Sequence, residues 1–271
     1  MNAIPPKSEN DKSKPNPKAT QAGAPVLATR LGRGRLGGST ICDLITQRAR
    51  MGNRPIVVAD GDLLNPTLAG LYPPGTPGGA TQPRSSQPAH VGEWIQDLVH
   101  MMMETRASTV LDLGGGNSAL ADLEHDLPLV EFCEEVGVVC LPLYFCGPEK
   151  DDFDHIVAIH KAGYFRGPRS ILFLNESLVR SGKTPVGAFD EIMSRPEAGE
   201  MEKSGVTVVI VPRLPCMMEV RATGLSFYDV ADNKPAKNGK PMDPVRQFMV
   251  KTWIDRLETQ FVASGIADCL P

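Results

Sequence analysis

Apolar residues along the chain fall into two alternating rhythms. Short continuous runs occur at Pro25–Thr29, Ile56–Ala59, Thr109–Leu113, Val136–Leu141, Ile171–Asn175 and Val206–Val211. These runs are rich in Val, Ile and Leu and do not alternate with polar residues, as expected of strands covered on both faces. Between them, Ile41, Leu44 and Ile45 recur at three- and four-residue spacing. So do Val91, Trp94, Ile95, Leu98, Val99 and Met102, and then Phe153, Ile156 and Val157. That spacing gathers each set on one face of a helix. The alternation predicts an α/β fold, a mostly parallel sheet flanked by helices on both faces. A last stripe, Val250, Trp253, Ile254, Leu257 and Phe261, predicts a helix packed on that sheet. Its polar face mixes Asp255 and Glu258 with Arg246, Lys251 and Arg256, unlike the Lys/Arg-rich face of a membrane-surface helix.

Two segments fall outside this pattern. Met1–Ala24 carries Pro, Asn, Lys and Ser with almost nothing apolar, and is read as a disordered, solvated tail. Tyr72–His90 is punctuated by Pro73, Pro74, Gly75, Pro77, Gly78, Gly79, Pro83 and Pro88, and is read as a mobile loop. It comes after the second strand, at the sheet end where parallel α/β proteins bind ligands. The rest, 25–271, is read as a single nucleotide-binding domain, since 271 residues bury one substantial core.

Charge and cysteine usage narrow the class. A net charge of −4 argues against a whole-molecule electrostatic grip on nucleic acid, which leaves direct DNA contact to a local patch. The six cysteines stand at irregular spacings with no Cys-x-x-Cys pair, as expected of reduced, mostly buried thiols. Met1 to Pro25 has no signal-type apolar segment, and no apolar run approaches the ~20 residues that span a bilayer. A cytoplasmic protein with no membrane contact is the expectation.

The chemistry-bearing stretch is Gly32-Arg-Gly34-Arg-Leu-Gly37-Gly38-Ser39-Thr40, between the first strand and first helix. Glycines there allow positive φ and turn backbone N–H groups toward an anion, and the helix adds its positive end. A plain strand-to-helix turn needs none of this. Two functional readings compete. Gly32-x-Gly34-x-x-Gly37 with Asp60 after the next strand spells a dinucleotide fingerprint, which would make the chain an NAD(P)-dependent oxidoreductase. Alternatively the stretch is an altered phosphate loop, with Ser39 as magnesium-linked hydroxyl and Gly38 where a lysine belongs. Residues further along the chain favour the second reading. Asp60-Gly-Asp62-Leu-Leu-Asn65-Pro-Thr67 succeeds the second strand, and Val110-Leu111-Asp112 precedes Gly114, Gly115 and Gly116. Asn175 and Pro212, which end later strands, add to it.

This ordered series resembles the ParA/MinD family of deviant Walker A ATPases, and the stretch from Asp60 to Thr67 resembles its conjugative-plasmid TraL and StbB branch. The resemblance runs from Pro25 to about Tyr228. It implies a P-loop fold, ATP or ADP with Mg2+ as cofactor, a homodimer, and a partner protein in plasmid partition or conjugation. By that likeness Gly34, Gly37, Gly38, Ser39 and Thr40 form the cofactor loop. Arg33 matches the lysine that reaches phosphates across a dimer, and Asp62 the acid that orients water. Ser39 and Asp112 match the metal site, and Asn175 and Pro212 the adenine contacts. Gly38 carries no cation and Arg35 replaces a glycine, so weak or absent hydrolysis is expected, and Gly38→Lys is expected to tighten nucleotide binding. A scaffold that binds no nucleotide is the remaining alternative. Elsewhere, Asp151, Asp152 and Asp154 read as the acidic first turn of a helix rather than metal ligands.

Overall fold

The structure, a computed structural model, describes residues 23–115, 118–180, 182–236 and 238–271. The tail expected over Met1–Ala24 lies almost wholly outside them. Six strands form one all-parallel sheet in the order β2-β3-β1-β4-β5-β6. They are β1 (Val26–Leu31), β2 (Ile56–Asp60), β3 (Ser108–Asp112), β4 (Val139–Cys146), β5 (Ser170–Asn175) and β6 (Val206–Val211). The helices among the described residues begin with α1 (Gly38–Met51), α2 (Thr67–Leu71), α3 (Pro88–Thr105), α4 (Ser118–Asp126), α5 (Leu129–Glu135) and α6 (Lys150–Ala162). After these come α7 (Asp190–Met193), α8 (Pro196–Lys203), α9 (Met217–Thr223), α10 (Phe227–Ala231) and α11 (Pro244–Ala263). The predicted fold class is the one observed.

Side chains alternate across each strand, so the sheet feeds two separate cores. Leu27, Leu31, Leu111 and Tyr144 point to the face covered by α3 through α8. Ala28, Val58, Val110, Leu143 and Phe145 point to the face covered by α1, α2 and α9 through α11. Two apolar faces explain why the strands read as continuous apolar runs. The predicted stripe on α11 is buried against the second core. On the same helix, the Gln260 amide accepts from Ile210 N–H at 2.9 Å and donates to Ile210 C=O at 2.7 Å. It thereby stands in for a neighbouring strand at the exposed edge β6.

The larger departures from the sequence reading are three; β2 and β3 shift by a single residue at their ends. The expected strand Val136–Leu141 begins later and runs on through Pro142 to Cys146. Proline reads as a strand stop because it lacks the N–H, but β4 pairs with β5 only from Leu143 onward, so that side of Pro142 needs no donor. The first strand extends past Thr29 to include Arg30 and Leu31, because the charge on Arg30 is neutralised inside the fold. The segment Tyr72–His90 is tied down in its middle. Thr81 forms a parallel bridge with Ala59, its carbonyl accepts from Asp60 N–H, and its hydroxyl accepts from Trp94 Nε1 at 3.1 Å. Helix α3 then starts at Pro88, in a first-turn position that suits proline. No helix among the described residues is long and apolar enough to cross a membrane.

Candidate functional site

The glycine stretch leaves β1 at Leu31 and enters α1 at Gly38. Gly37 caps the helix with φ +87, and a β-carbon there would stand 2.3 Å from Asn175 Nδ2. That amide, at the end of β5, donates to Leu36 C=O at 2.9 Å, while Asn175 Oδ1 accepts from Ser177 N–H. Asn175 therefore braces the loop from behind. No side chain caps the start of α1 and no acidic residue lies in its first turn, so the positive helix end is open. It opens on a cleft of about 720 Å³ whose walls include Gly34, Arg35, Gly37, Gly38, Ser39 and Thr40. Asp62 and Leu64 also line it, and Ser86 and Pro88 contribute from the end of the proline-rich segment. Arg35 holds a left-handed backbone, φ +65, where glycine is the unstrained residue.

Strand order decides what lies beneath this loop. Because β3 sits between β1 and β2, Arg30 is the register partner of Asp112, and Asp112 of Asp60. All three share parity with Ala28, Val110 and Val58, so they face α1. Arg30 is 3% exposed. Its Nη1 donates to Asp112 Oδ1 at 2.6 Å and its Nη2 to Arg33 C=O at 3.2 Å, while its Nε has no acceptor. Burial pulls the guanidinium pKa down, but the charge and hydrogen bond of Asp112 outweigh it and the net direction is up. Burial, helped by Asp112, also pushes the nearby Cys42 thiol well up, so it stays neutral. Asp60 is fully buried and rises to about 6, chiefly through lost solvation. Hydrogen bonds from Ala69 N–H and Asp62 N–H oppose that rise, and Asp112 adds to it.

The cleft thus brings together Gly34, Gly37, Gly38, Ser39, Thr40 and Asp62 among the residues singled out from sequence. Asp62 accepts from Asn65 N–H at 2.9 Å, and its carboxylate lies over Gly114, where a β-carbon would stand 2.6 Å from Oδ2. The other four lie elsewhere. Arg33 turns away to pair with Asp152 on α6 at 3.2 Å. Asn175 lies behind the loop. Pro212 is buried and its carbonyl accepts from Trp253 Nε1 at 2.8 Å. Asp112 lies underneath Arg30, 1% exposed.

The implied Mg2+ would need Asp112 and Ser39 to face a common cation. These residues do not fit it, because a guanidinium already holds the cation's place against Asp112. The dinucleotide alternative fails on the strand order. Its acid belongs on the strand next to the glycine loop, whereas β3 separates β2 from β1 and both Asp60 oxygens are held by backbone N–H groups.

Sequence reasoning missed Arg30. The available signal was a charged residue inside a strand covered on both faces, which must find a partner, with Asp112 ending another such strand. A second buried network was also missed. Asp43 on α1 accepts from Tyr72 Oη at 2.5 Å and Gln47 Nε2 at 2.8 Å, and pairs with Arg221 on α9. The acids at the start of α6 serve ion pairs, Asp152 with Arg33 and Asp154 with Arg195. Among the described residues no group of metal-ligating side chains is assembled. All six cysteines are unpaired, and only Cys269 is not buried.

No known family model matches this sequence, and no curated protein matches it either. Among solved structures the chain is similar to the MinD cell division protein of Aquifex aeolicus, at 14% identity over 86% of this chain and 96% of that one, with a TM-score of 0.45. It is also similar to chloroplast FtsY from Physcomitrella patens, at 13% identity over 86% of this chain and 67% of that one, with a TM-score of 0.44. The likeness is one of chain trace, and neither match points to the conjugative-plasmid branch.

Proposed function

We propose that this chain is a nucleotide-binding protein of P-loop type that takes the phosphates of ATP or ADP at the mouth of α1 and hydrolyses them barely or not at all. The observation that carries the reading is the uncapped start of α1 opening on a cleft lined by the loop glycines, Ser39, Thr40 and Arg30. The free N–H groups and positive end of the helix suit a phosphate, and the nearby guanidinium adds positive potential. Hydrolysis needs positive charge on the phosphate oxygens as charge shifts in the transition state. Gly38 supplies none, and the charge of Arg30 is already spent largely on Asp112. Nucleotide occupancy would then set a conformational state for a partner to read, with Asp62 at the cleft wall as the residue placed to sense it.

Thermal shift with ATP, ADP, NAD and NADP tests this. A ligand that binds only the native state at a hundredfold its Kd adds about 2.7 kcal/mol. ATP or ADP is expected to raise the melting temperature. Stabilisation by NAD or NADP alone, or by none of the four, overturns the reading. The homodimer, the partner protein and the role in plasmid maintenance or transfer come from motif resemblance and stand with this proposal. Sedimentation with and without nucleotide tests the dimer.

A further inference from the structure

We infer that Arg30 is a resident counter-ion that takes the metal's place at Asp112, so that the cleft receives nucleotide phosphates without magnesium. The second half rests on the nucleotide reading above; the first half does not.

Three observations converge. The first is register. Arg30, Asp112 and Asp60 stand side by side on three neighbouring strands, all facing the start of α1. Adjacent strands lie about 4.8 Å apart, so one side chain from β1 reaches the carboxylate of β3 directly, at 2.6 Å. The second is packing. A β-carbon on Gly38 would meet Arg30 Nε at 2.1 Å, Cδ at 2.5 Å and Cγ at 3.0 Å. The arginine stem therefore passes under the first residue of the helix, which has to be glycine to let it through. Absence of the loop lysine and presence of the strand arginine are one feature.

The third is charge. Asp112 and Asp62 both lie close enough to Asp60 to hold it protonated to higher pH, and Arg30 feels both Asp112 and Asp62. Among the described residues no other arginine or lysine is ion-paired with any of these acids. A divalent cation at the Asp112 oxygen that Arg30 holds would have to expel a guanidinium that is hydrogen-bonded and almost without solvent access. Expelling it would leave that charge buried and unpaired, the costly way to break an ion pair. Metal-free polyphosphate has no such barrier, since its oxygens meet the open helix start from the cleft side.

The test has a metal arm and a nucleotide arm. In the metal arm, Mg2+ or Mn2+ alone is added to the wild-type chain and to Arg30→Met, which keeps the stem and removes the charge. The wild type is expected to melt at an unchanged temperature. Arg30→Met should gain a metal-dependent rise that Asp112→Asn in the same background abolishes. A wild-type rise lost in Asp112→Asn overturns the inference, as does a folded Arg30→Met without any metal response. If Arg30→Met does not fold, the wild-type measurement still decides, and the neutral pair Arg30→Met with Asp112→Leu supplies a folded control expected to ignore metal. In the nucleotide arm, ATP and ADP affinities are measured calorimetrically in excess EDTA and in saturating Mg2+. Binding is expected to be equal or tighter in EDTA. A tightening by Mg2+ of about tenfold, or 1.4 kcal/mol, overturns the second half. Absence of binding in both media sinks the nucleotide reading and the second half with it, while the metal arm still decides whether Arg30 holds the metal's place.

Discussion

The Nε of Arg30 lies 2.1 Å from the point where a β-carbon on Gly38 would stand. By the resemblance to deviant Walker A ATPases, position 38 is where the loop lysine would stand, so the sequence alone predicts that Gly38→Lys tightens nucleotide binding. The structure reverses that expectation. Any side chain at 38 must push the buried stem of Arg30 aside, and overpacking of this kind costs about 1–3 kcal/mol. Gly38→Lys is therefore expected to lower the urea midpoint without tightening nucleotide. Adding Arg30→Ala should recover part of the loss. A single variant that melts like the wild type and binds ATP more tightly would show that the two residues do not share this space.

Gly37 and Asn175 form a second interlocked pair. Gly37→Ala combines a left-handed backbone, about 1–2 kcal/mol for a residue with a β-carbon, with a contact of 2.3 Å to the Asn175 amide. A destabilisation of about 2–4 kcal/mol is expected. Measured in the Asn175→Ala background, which has already lost the brace to Leu36, Gly37→Ala should cost less, because only the left-handed part remains. An equal cost of Gly37→Ala with and without Asn175 would show that the two residues do not interlock.

Asp60 predicts a specific pH dependence. Its pKa in the fold is raised from 3.8 to about 6, so the folded state holds a proton that the unfolded chain has already released. Stability then falls as pH rises through that interval and levels off above it. Asp60→Asn cannot titrate. The wild type is expected to lose stability relative to Asp60→Asn between about pH 4 and pH 6, read as the difference in urea midpoints. A difference that stays constant with pH would falsify the assignment.

The ion pair between Arg221 and Asp43 fastens α9 to α1, and Tyr72 fastens the start of the proline-rich segment to the same carboxylate. Asp43 is 1% exposed, so Arg221→Met strands a buried charge. Removing one partner of a fully buried pair costs about 3–5 kcal/mol. Partial exposure of Arg221 and the remaining hydrogen bonds reduce this to about 2–3 kcal/mol. Equilibrium unfolding should show that loss with an unchanged m-value. Tyr72→Phe is expected to cost less and to speed proteolysis within Pro73–Gly79. Unaltered cleavage there would mean that Tyr72 does not anchor the segment.

Local pattern carried a large part of this fold. The continuous Val, Ile and Leu runs marked the six strands because strands buried on both faces have no polar side to display. The three- and four-residue spacings marked α1, α3, α6 and α11, and the glycine stretch marked the turn into α1. Each of these depends on residues adjacent in the chain or one helical turn apart, so each is legible without tertiary information. Strand order is not. That β3 rather than β2 lies beside β1 depends on how crossovers pack, and it alone brings Arg30 and Asp112, 82 positions apart, within 2.6 Å. Pro142 reads as the end of a strand until pairing shows which neighbour needs its missing N–H. Arg30 reads as the residue after a strand until its counter-charge is known. The sequence by itself determined the layers and the glycine loop with Gly38 at the mouth of α1. Only the tertiary structure decided that a cation from the sheet lies beneath Gly38, because charges meet through space and a one-dimensional pattern does not record distance.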